Sequence, residues 1–163
     1  LGKISINENN MTEQISLIND DANNLTNIFN SDTFDVIVCN PPYFKTNNIL
    51  FENNNNIKSL ARHEKSLVLE DVFRISRVLL KNNGRLAIVH RSERFMEILL
   101  LMKKYNIEPK KVRFVYPNRE KNSDLVLIEG TLNGKSGLKI LKPLFIYDRD
   151  NVYTKEVEDM FGE

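Results

Sequence analysis

A polar tetrapeptide, Asn40-Pro41-Pro42-Tyr43, directly follows the apolar run FDVIVC. The run has the length and composition that are typical of a buried parallel strand. In open α/β sheets, ligands bind outside the carboxyl ends of the strands. The sequence therefore predicts a binding site at this tetrapeptide.

The tetrapeptide combines a stiff turn with exposed hydrogen-bond acceptors. Each proline lacks a backbone N–H and has a fixed φ, and Pro41 also restrains Asn40 to extended geometry. A planar group that bears an NH2 can donate one hydrogen to the Asn40 side chain and the other to the Pro41 carbonyl. Tyr43 can then stack on the face of that group. The alternative is a purely structural turn with a partly buried tyrosine.

Two acceptors around an amine suit the transfer of an electrophilic group to that amine. The exocyclic nitrogen of adenine is a poor nucleophile because its lone pair is delocalised into the ring. Acceptors that hold both hydrogens favour a pyramidal nitrogen and expose the lone pair, by positioning and electrostatics. A base in a nucleic acid must first leave the stack, and an aromatic platform offsets that cost.

The elements around the tetrapeptide alternate between strand and helix patterns, which predicts an α/β sheet with helices on its faces. The predicted strands are 15–19, 34–40, 84–90, 110–116, 124–130 and 138–141. A link of seven residues, 117–123, joins the fourth and fifth strands. Because a parallel crossover needs a dozen residues or more, this short link predicts an antiparallel hairpin.

Two longer helices are predicted between these strands. The first presents Val68, Val72, Ile75 and Leu79 on one face, with Ser66 as its N-cap and 82–84 as its end. The second begins at Ser92 and is stopped by Pro109, and a short helical turn follows at 154–161. The connection 44–61 is polar and much longer than usual, which predicts a mobile loop.

Composition describes one ordinary domain of 163 residues, with 41% apolar and 28% charged residues. No apolar window is long enough to cross a bilayer, and the N-terminus lacks a signal-peptide pattern. A single cysteine, Cys39, excludes a disulfide framework and a cysteine-rich metal site. We interpret the chain as a cytoplasmic protein.

Charge is unevenly distributed although the net charge is +1. Seven basic and two acidic residues lie between Lys103 and Lys121. This excess can attract a polyanion such as RNA. A solvated surface with lysines at its edges explains the same pattern, and charge alone leaves both interpretations open.

With NPPY after FDVIVC, the chain resembles class I S-adenosylmethionine-dependent methyltransferases that act on planar exocyclic or amide nitrogens. The wider pattern, including ARHE, HRSER and KKYNIEPKKVRFVYP, is similar to bacterial tRNA adenine-N6 methyltransferases, which modify the adenine beside the anticodon of a valine tRNA. The resemblance runs from about Ile15 to the C-terminus. It implies a Rossmann-like class I methyltransferase sheet with an antiparallel C-terminal hairpin, S-adenosylmethionine as cofactor and tRNA as partner.

The resemblance also assigns roles to the tetrapeptide. Asn40 and Pro41 hold the target amine, Pro42 fixes the loop and Tyr43 stacks on the base. These four residues are the predicted catalytic residues.

For the cofactor, the resemblance implies Asp21, which follows the predicted strand ISLIN, together with the backbone N–H of Ala22 and the side chain of Asn40. Taken alone, Asp21 also fits an ordinary aspartate at a strand end. The family begins with a strand and a glycine-rich turn, whereas the only early glycine here is Gly2. We therefore expect residues 1–163 to be one truncated catalytic domain that lacks the N-terminal strands and does not bind the cofactor by itself.

Cations near the tetrapeptide are candidate contacts to RNA phosphates, because guanidinium groups match phosphate geometry. The candidates are Lys45, Arg62, His63, Arg91 and Arg94. Salt bridges of the arginines with Glu64 and Glu93 are the alternative. The histidines His63 and His90 can contact phosphate, carry protons or pack in the structure, and the chemistry requires no histidine.

The leading hypothesis is N6-methylation of an adenine in tRNA by an S-adenosylmethionine-dependent enzyme. A second hypothesis replaces adenine by the side-chain amide of a protein glutamine, which offers the same planar NH2. A third is a non-catalytic RNA-binding module. The basic stretch and the family-like C-terminal half favour RNA.

Overall fold

Six strands form one mixed sheet in the computed structural model, which describes residues 1–43, 68–148 and 152–162. The strands are β1 (Phe34–Cys39), β2 (Leu80–Arg91), β3 (Ile107–Tyr116), β4 (Leu125–Leu132), β5 (Lys139–Ile140) and β6 (Leu144–Phe145). The helices are α1 (Gly2–Glu8), α2 (Leu25–Ile28), α3 (Leu69–Leu79), α4 (Phe95–Lys104) and α5 (Lys155–Phe161). The sheet therefore has the α/β character that the sequence predicts.

The strand order is β1-β2-β4-β3-β5, and β6 pairs with β3 beside β5. β1 and β2 are parallel, whereas β4 is antiparallel to both β2 and β3. This confirms the predicted hairpin between β3 and β4. No helix among the described residues is long and apolar enough to span a membrane.

One face of the sheet carries the core. Along β2 the buried residues alternate with more exposed ones, as expected for a strand with one covered face. Leu86 and Ile88 belong to the same buried cluster as Phe73 of α3 and as Ile98 and Met102 of α4. The two helices thus cover this face, and their apolar stripes hold it through the hydrophobic effect.

The opposite face is open near β1. Val38 is 78% exposed and Val36 is 42% exposed, and Leu127 of β4 lies in the same exposed class. The run FDVIVC is therefore a strand, as predicted, but only one of its faces is covered by described residues. Its covered side chains, Ile37 and Cys39, pack against the core cluster.

The predicted strand at 15–19 is wrong, because these residues form no strand in the structure. Ile15, Leu17 and Ile18 are each at least 40% exposed. A strand exists only through its ladder hydrogen bonds, and β1 pairs only with β2 among the described strands. Among residues 1–43, 68–148 and 152–162, no strand therefore pairs with this segment to order it.

Both long helices are confirmed, but their predicted ends need correction. Helix α3 ends at Leu79 rather than at 82–84, because the chain enters β2 at once and Leu80 pairs with Phe34. A 3-10 turn over Ser92–Arg94 precedes α4. The chain then reverses at Asn106, which has a φ of 58°.

Pro109 is not the residue that stops α4. It lies inside β3, where a register shift between Pro109 and Lys111 accommodates a residue without an N–H. The predicted N-cap Ser66 is also wrong, because α3 begins at Leu69 and its N-cap residue is Val68. The connection 44–61 lies outside the described residues.

Candidate active site

Parallel pairing of β1 and β2 places the tetrapeptide at the carboxyl edge of the sheet. Cys39 lies opposite Ile88, so the tetrapeptide leaves β1 beside the last residues of β2, Val89–Arg91. Leu125, the first residue of β4, pairs with Arg91 at the same edge. The link between β3 and β4 therefore lies at the same edge of the sheet as Asn40.

The side chains of Asn40 and Tyr43 are joined by a hydrogen bond. The Tyr43 hydroxyl donates to Asn40 Oδ1 at 2.7 Å. Both residues are exposed, whereas Pro41 between them is buried and anchors the turn. The amide oxygen predicted to accept a substrate amine is thus oriented as an acceptor, and it already receives a donor from the same turn.

Tyr43 also contacts His90. Their ring centroids are 5.2 Å apart with an interplanar angle of 67°, which is an edge-to-face arrangement. His90 is fully buried, with 0% exposure. Of the interpretations that the sequence leaves open for His90, packing is therefore the one observed in this structure.

The imidazole of His90 is harder to protonate than a free one. Burial lowers its pKa from the ordinary value, and the positive charge of Arg94 lowers it further. His90 Nδ1 accepts the backbone N–H of Arg91 at 2.8 Å, which places the remaining proton on Nε2. His90 Nε2 has no hydrogen-bond partner among the described residues.

Of the predicted phosphate contacts, the structure describes only Arg91 and Arg94. Arg91 is exposed at the end of β2, beside the tetrapeptide. Arg94 instead donates two hydrogen bonds to Glu97, and its side chain is only 13% exposed. The salt-bridge alternative thus holds for Arg94, with Glu97 as a partner. Lys45, Arg62 and His63 lie outside the described residues.

Asp21 and Ala22 lie in a separate turn. The Asp21 carboxylate accepts the backbone N–H of Asn23 at 2.9 Å and caps a short 3-10 helix over Ala22–Asn24. These are contacts within one turn, and they provide no link to Asn40. The roles of Asp21 and Ala22 in cofactor binding stay predictions.

Most of the basic stretch is paired with carboxylates, which favours the surface interpretation. The salt bridges are Lys103–Glu108, Lys104–Glu70, Lys111–Glu129 and Arg113–Glu156. Surface pairs of this kind contribute little to stability, but they reduce the net positive charge. Arg119 lies in the link between β3 and β4, at the edge of the sheet where Asn40 lies. Its guanidinium is 4.8 Å from the ring centroid of Phe145 in β6.

Two features of the site were missed at the level of sequence. One is the contact of Tyr43 with His90. The other is an aromatic group in which Tyr147 and Tyr153 stack with centroids 5.1 Å apart, next to Phe145. For the first feature, alternation along β2 places His90 on the same buried face as Leu86 and Ile88, which the sequence could have indicated. For the second feature, the sequence offers only two tyrosines in the polar segment after β6.

A groove of about 430 Å³ lies on the open face of the sheet and reaches the site. Val38, Ala87 and Leu127 contribute apolar lining, and Cys39 and Asn40 also line the groove. Burial raises the pKa of the Cys39 thiol, so this cysteine is a weak nucleophile.

No glycine-rich turn follows a strand before β2 in the part of the chain that the structure describes. A nucleotide-like cofactor is usually approached by a glycine-rich turn after a strand. Gly2 lies in α1, and the next glycine in the sequence is Gly84 in β2. Asp21 is exposed and bonded within its own turn.

Comparison with known proteins gives close agreement on the family. The model of the Eco57I restriction-modification methylase family matches residues 2–121. The tRNA1(Val) (adenine(37)-N6)-methyltransferase of Flavobacterium psychrophilum is 28% identical over 128 residues, which cover 77% of this chain and 51% of the relative. The enzyme of the same name from Flavobacterium johnsoniae is 26% identical over 132 residues, with 81% and 54% covered. The chain thus spans about half the length of these curated relatives.

A solved structure agrees on the fold. The crystal structure of protein Atu636 from Agrobacterium tumefaciens, described as a predicted O-methyltransferase, matches with a TM-score of 0.73 at 14% identity. The match covers 98% of this chain and 70% of the other. At this identity the likeness concerns the fold alone. Since the family model matches well over half of its residues, the chain belongs to the Eco57I restriction-modification methylase family of class I methyltransferases.

Proposed function

We propose that the whole protein transfers a methyl group to the N6 amine of an adenine in tRNA. The observation that carries this proposal is the position and orientation of the Asn40 amide. It follows β1 at the carboxyl edge of the sheet, and its oxygen accepts a donor at 2.7 Å. A substrate amine can make the same hydrogen bond.

The chain's own residues act on the acceptor amine. Asn40 Oδ1 and the Pro41 carbonyl oxygen each accept one hydrogen bond from the amine. The buried ring of Pro41 keeps these two acceptors fixed. Pro42 keeps the turn stiff, and Tyr43 stacks on the base. Because positive charge develops on the nitrogen as it attacks, acceptors that are already in place stabilise the transition state more than the ground state.

S-adenosylmethionine, the donor implied by the family, supplies the electrophilic methyl group. We propose Asp21, the backbone N–H of Ala22 and Asn40 as the residues that this chain contributes to the cofactor. Residues 1–163 would then form part of one catalytic domain, in which further groups are needed to hold the donor.

The tRNA substrate is proposed from two kinds of support. Two relatives bear the name of a methyltransferase for adenine 37 of a valine tRNA. In this chain, Arg91 is exposed beside the tetrapeptide, and Arg119 lies against Phe145 at the same edge. Arginines and aromatic rings are the groups that bind the phosphates and bases of single-stranded RNA.

Transfer of radiolabelled methyl groups tests the proposal. The whole protein is incubated with labelled S-adenosylmethionine and one of three acceptors, which are valine tRNA, the same tRNA with guanine at position 37, and a glutamine peptide. Digestion and mass spectrometry of the nucleosides should find N6-methyladenosine with the first acceptor only. Methylation of the peptide would instead support a protein glutamine methyltransferase. RNA binding without any transfer, in a protein that binds the donor, would support a non-catalytic module.

A further inference from the structure

His90 is a buried polar group with one hydrogen-bonding atom left over. Its side chain has 0% exposure. Nδ1 accepts the Arg91 backbone N–H, so the neutral ring carries its proton on Nε2. Nε2 finds no acceptor among the described residues. Buried donors are rarely left without an acceptor, because the lost hydrogen bond to water is not replaced.

Tyr43 links this donor to the candidate active site. Its ring contacts the His90 ring edge to face, and its hydroxyl contacts Asn40 Oδ1. Tyr43 therefore contacts both the imidazole and the acceptor amide. Because His90 is fully buried, a base that binds Asn40 and Tyr43 has to displace the groups that now cover the imidazole in order to reach Nε2.

We propose that His90 Nε2–H donates a hydrogen bond to a ring nitrogen of the target adenine, so that His90 recognises the base. The inference rests on the proposed function, and it adds a residue that the family pattern does not assign. Adenine carries lone pairs on N1 and N7, the two ring nitrogens on either side of the amine. Guanine has an N–H at N1, so a donor aimed at N1 would accept adenine and reject guanine.

Atom-by-atom changes in the RNA test this contact. Labelled anticodon stem-loops carry adenine, 1-deazaadenine, 7-deazaadenine or purine at the target position, and binding to the whole protein is measured by fluorescence anisotropy. With the wild-type protein, one of the two deaza bases should bind about five- to tenfold more weakly than adenine, as expected for the loss of one hydrogen bond. The other deaza base should bind like adenine.

Substitution of His90 should remove this discrimination. His90→Phe keeps a ring against Tyr43 but has no donor, so it should bind adenine and both deaza bases equally. His90→Gln retains an N–H donor and should keep part of the difference. Equal affinity of the wild-type protein for all deaza bases would overturn the proposal, as would an unchanged difference in His90→Phe.

A measurement on the wild-type protein covers the case in which His90→Phe does not fold. Nitrogen-15 NMR of the histidine side chains should show the Nε2–H proton of His90 moving downfield when adenine RNA binds, but not when the sensitive deaza RNA binds. An unshifted resonance would overturn the proposal. The purine RNA tests the proposed function separately, because it lacks the amine and should bind more weakly whatever the role of His90.

Discussion

Tyr43→Phe should make the acceptor site bind adenine more tightly. In the structure, the Tyr43 hydroxyl occupies Asn40 Oδ1, the atom proposed to receive the substrate amine. Phenylalanine keeps the ring that stacks on the base and that contacts His90, but it removes the competing donor. The variant therefore presents a free acceptor and an unchanged platform.

The size of the effect follows from the hydrogen bond that is lost. A neutral hydrogen bond contributes about 0.5 to 1.5 kcal/mol net, and one between exposed groups lies at the lower end. Tyr43 is 37% exposed and Asn40 is also exposed. If the RNA no longer has to replace a Tyr43–Asn40 hydrogen bond that contributes about 0.5 to 1 kcal/mol, the Kd for adenine RNA falls by roughly two- to fivefold.

The assay is a titration of labelled anticodon stem-loop with the wild-type protein and the variant. Tyr105→Phe is the matched control, because the Tyr105 hydroxyl also donates a hydrogen bond, to Glu70 at 2.8 Å, away from the tetrapeptide. It should leave the Kd unchanged. An amide oxygen has two lone pairs and can accept both donors. Equal or weaker binding by Tyr43→Phe would show that the two donors coexist, and would refute the reasoning from competition.

Three further predictions concern stability and the cofactor. The pKa of His90 lies below 6.5 in the folded state, so the unfolded chain binds the proton more readily. The free energy of unfolding should therefore fall as the pH is lowered through the range below about 6.5 in the wild type, but less in His90→Gln, as measured by urea denaturation. Ile98→Ala should lower the free energy of unfolding by about 2 to 5 kcal/mol, because the Ile98 side chain is fully buried. The control Leu100→Ala lies in the same helix at 67% exposure, and it should change the free energy of unfolding by less than about 0.5 kcal/mol in the same denaturation experiment. The 163-residue chain by itself should give no binding signal with S-adenosylmethionine in calorimetry, and a micromolar Kd would contradict that expectation.

Much of the sheet was predictable, because its determinants are local. The seven residues of 117–123 are too few for a parallel crossover, so the hairpin of β3 and β4 follows from chain length alone. The tetrapeptide could be placed at a carboxyl edge because an apolar run of strand length precedes it. Both predictions depend only on residues that are close in sequence.

The predicted strand at 15–19 failed because a strand depends on a partner that its own sequence does not specify. Its apolar residues fit a half-buried strand, but pairing decides whether the ladder forms. The prediction that Pro109 ends α4 failed because the same residue type fits two structures. Pro109 can end a helix or lie at a bulge in a strand, and the turn at Asn106 had already ended the helix.

The arrangement within the site was only partly predictable. The residue types of Asn40 and Tyr43 indicate an acceptor and a platform, but a side-chain rotamer decides that they bond to each other. Burial of His90 followed from the alternation of β2, whereas its contact with Tyr43 depends on the path of the turn after β1. The sequence therefore indicates which functional groups are present, and the structure adds which of them contact or hydrogen-bond each other.

The central claim is that the Asn40 amide holds the amine in the transition state, and single-turnover methyl transfer by Asn40→Ala in the whole protein tests it most directly. The rate constant should fall about 100- to 1,000-fold, as expected for loss of one prearranged hydrogen bond at the reacting group. The Kd for tRNA should rise less than about fivefold. Asn82→Ala is the matched control, because Asn82 Oδ1 accepts a hydrogen bond from Asn133 at 3.0 Å near the opposite edge of the sheet. An unchanged rate in a folded Asn40→Ala protein, or a loss confined to tRNA affinity, would contradict the claim.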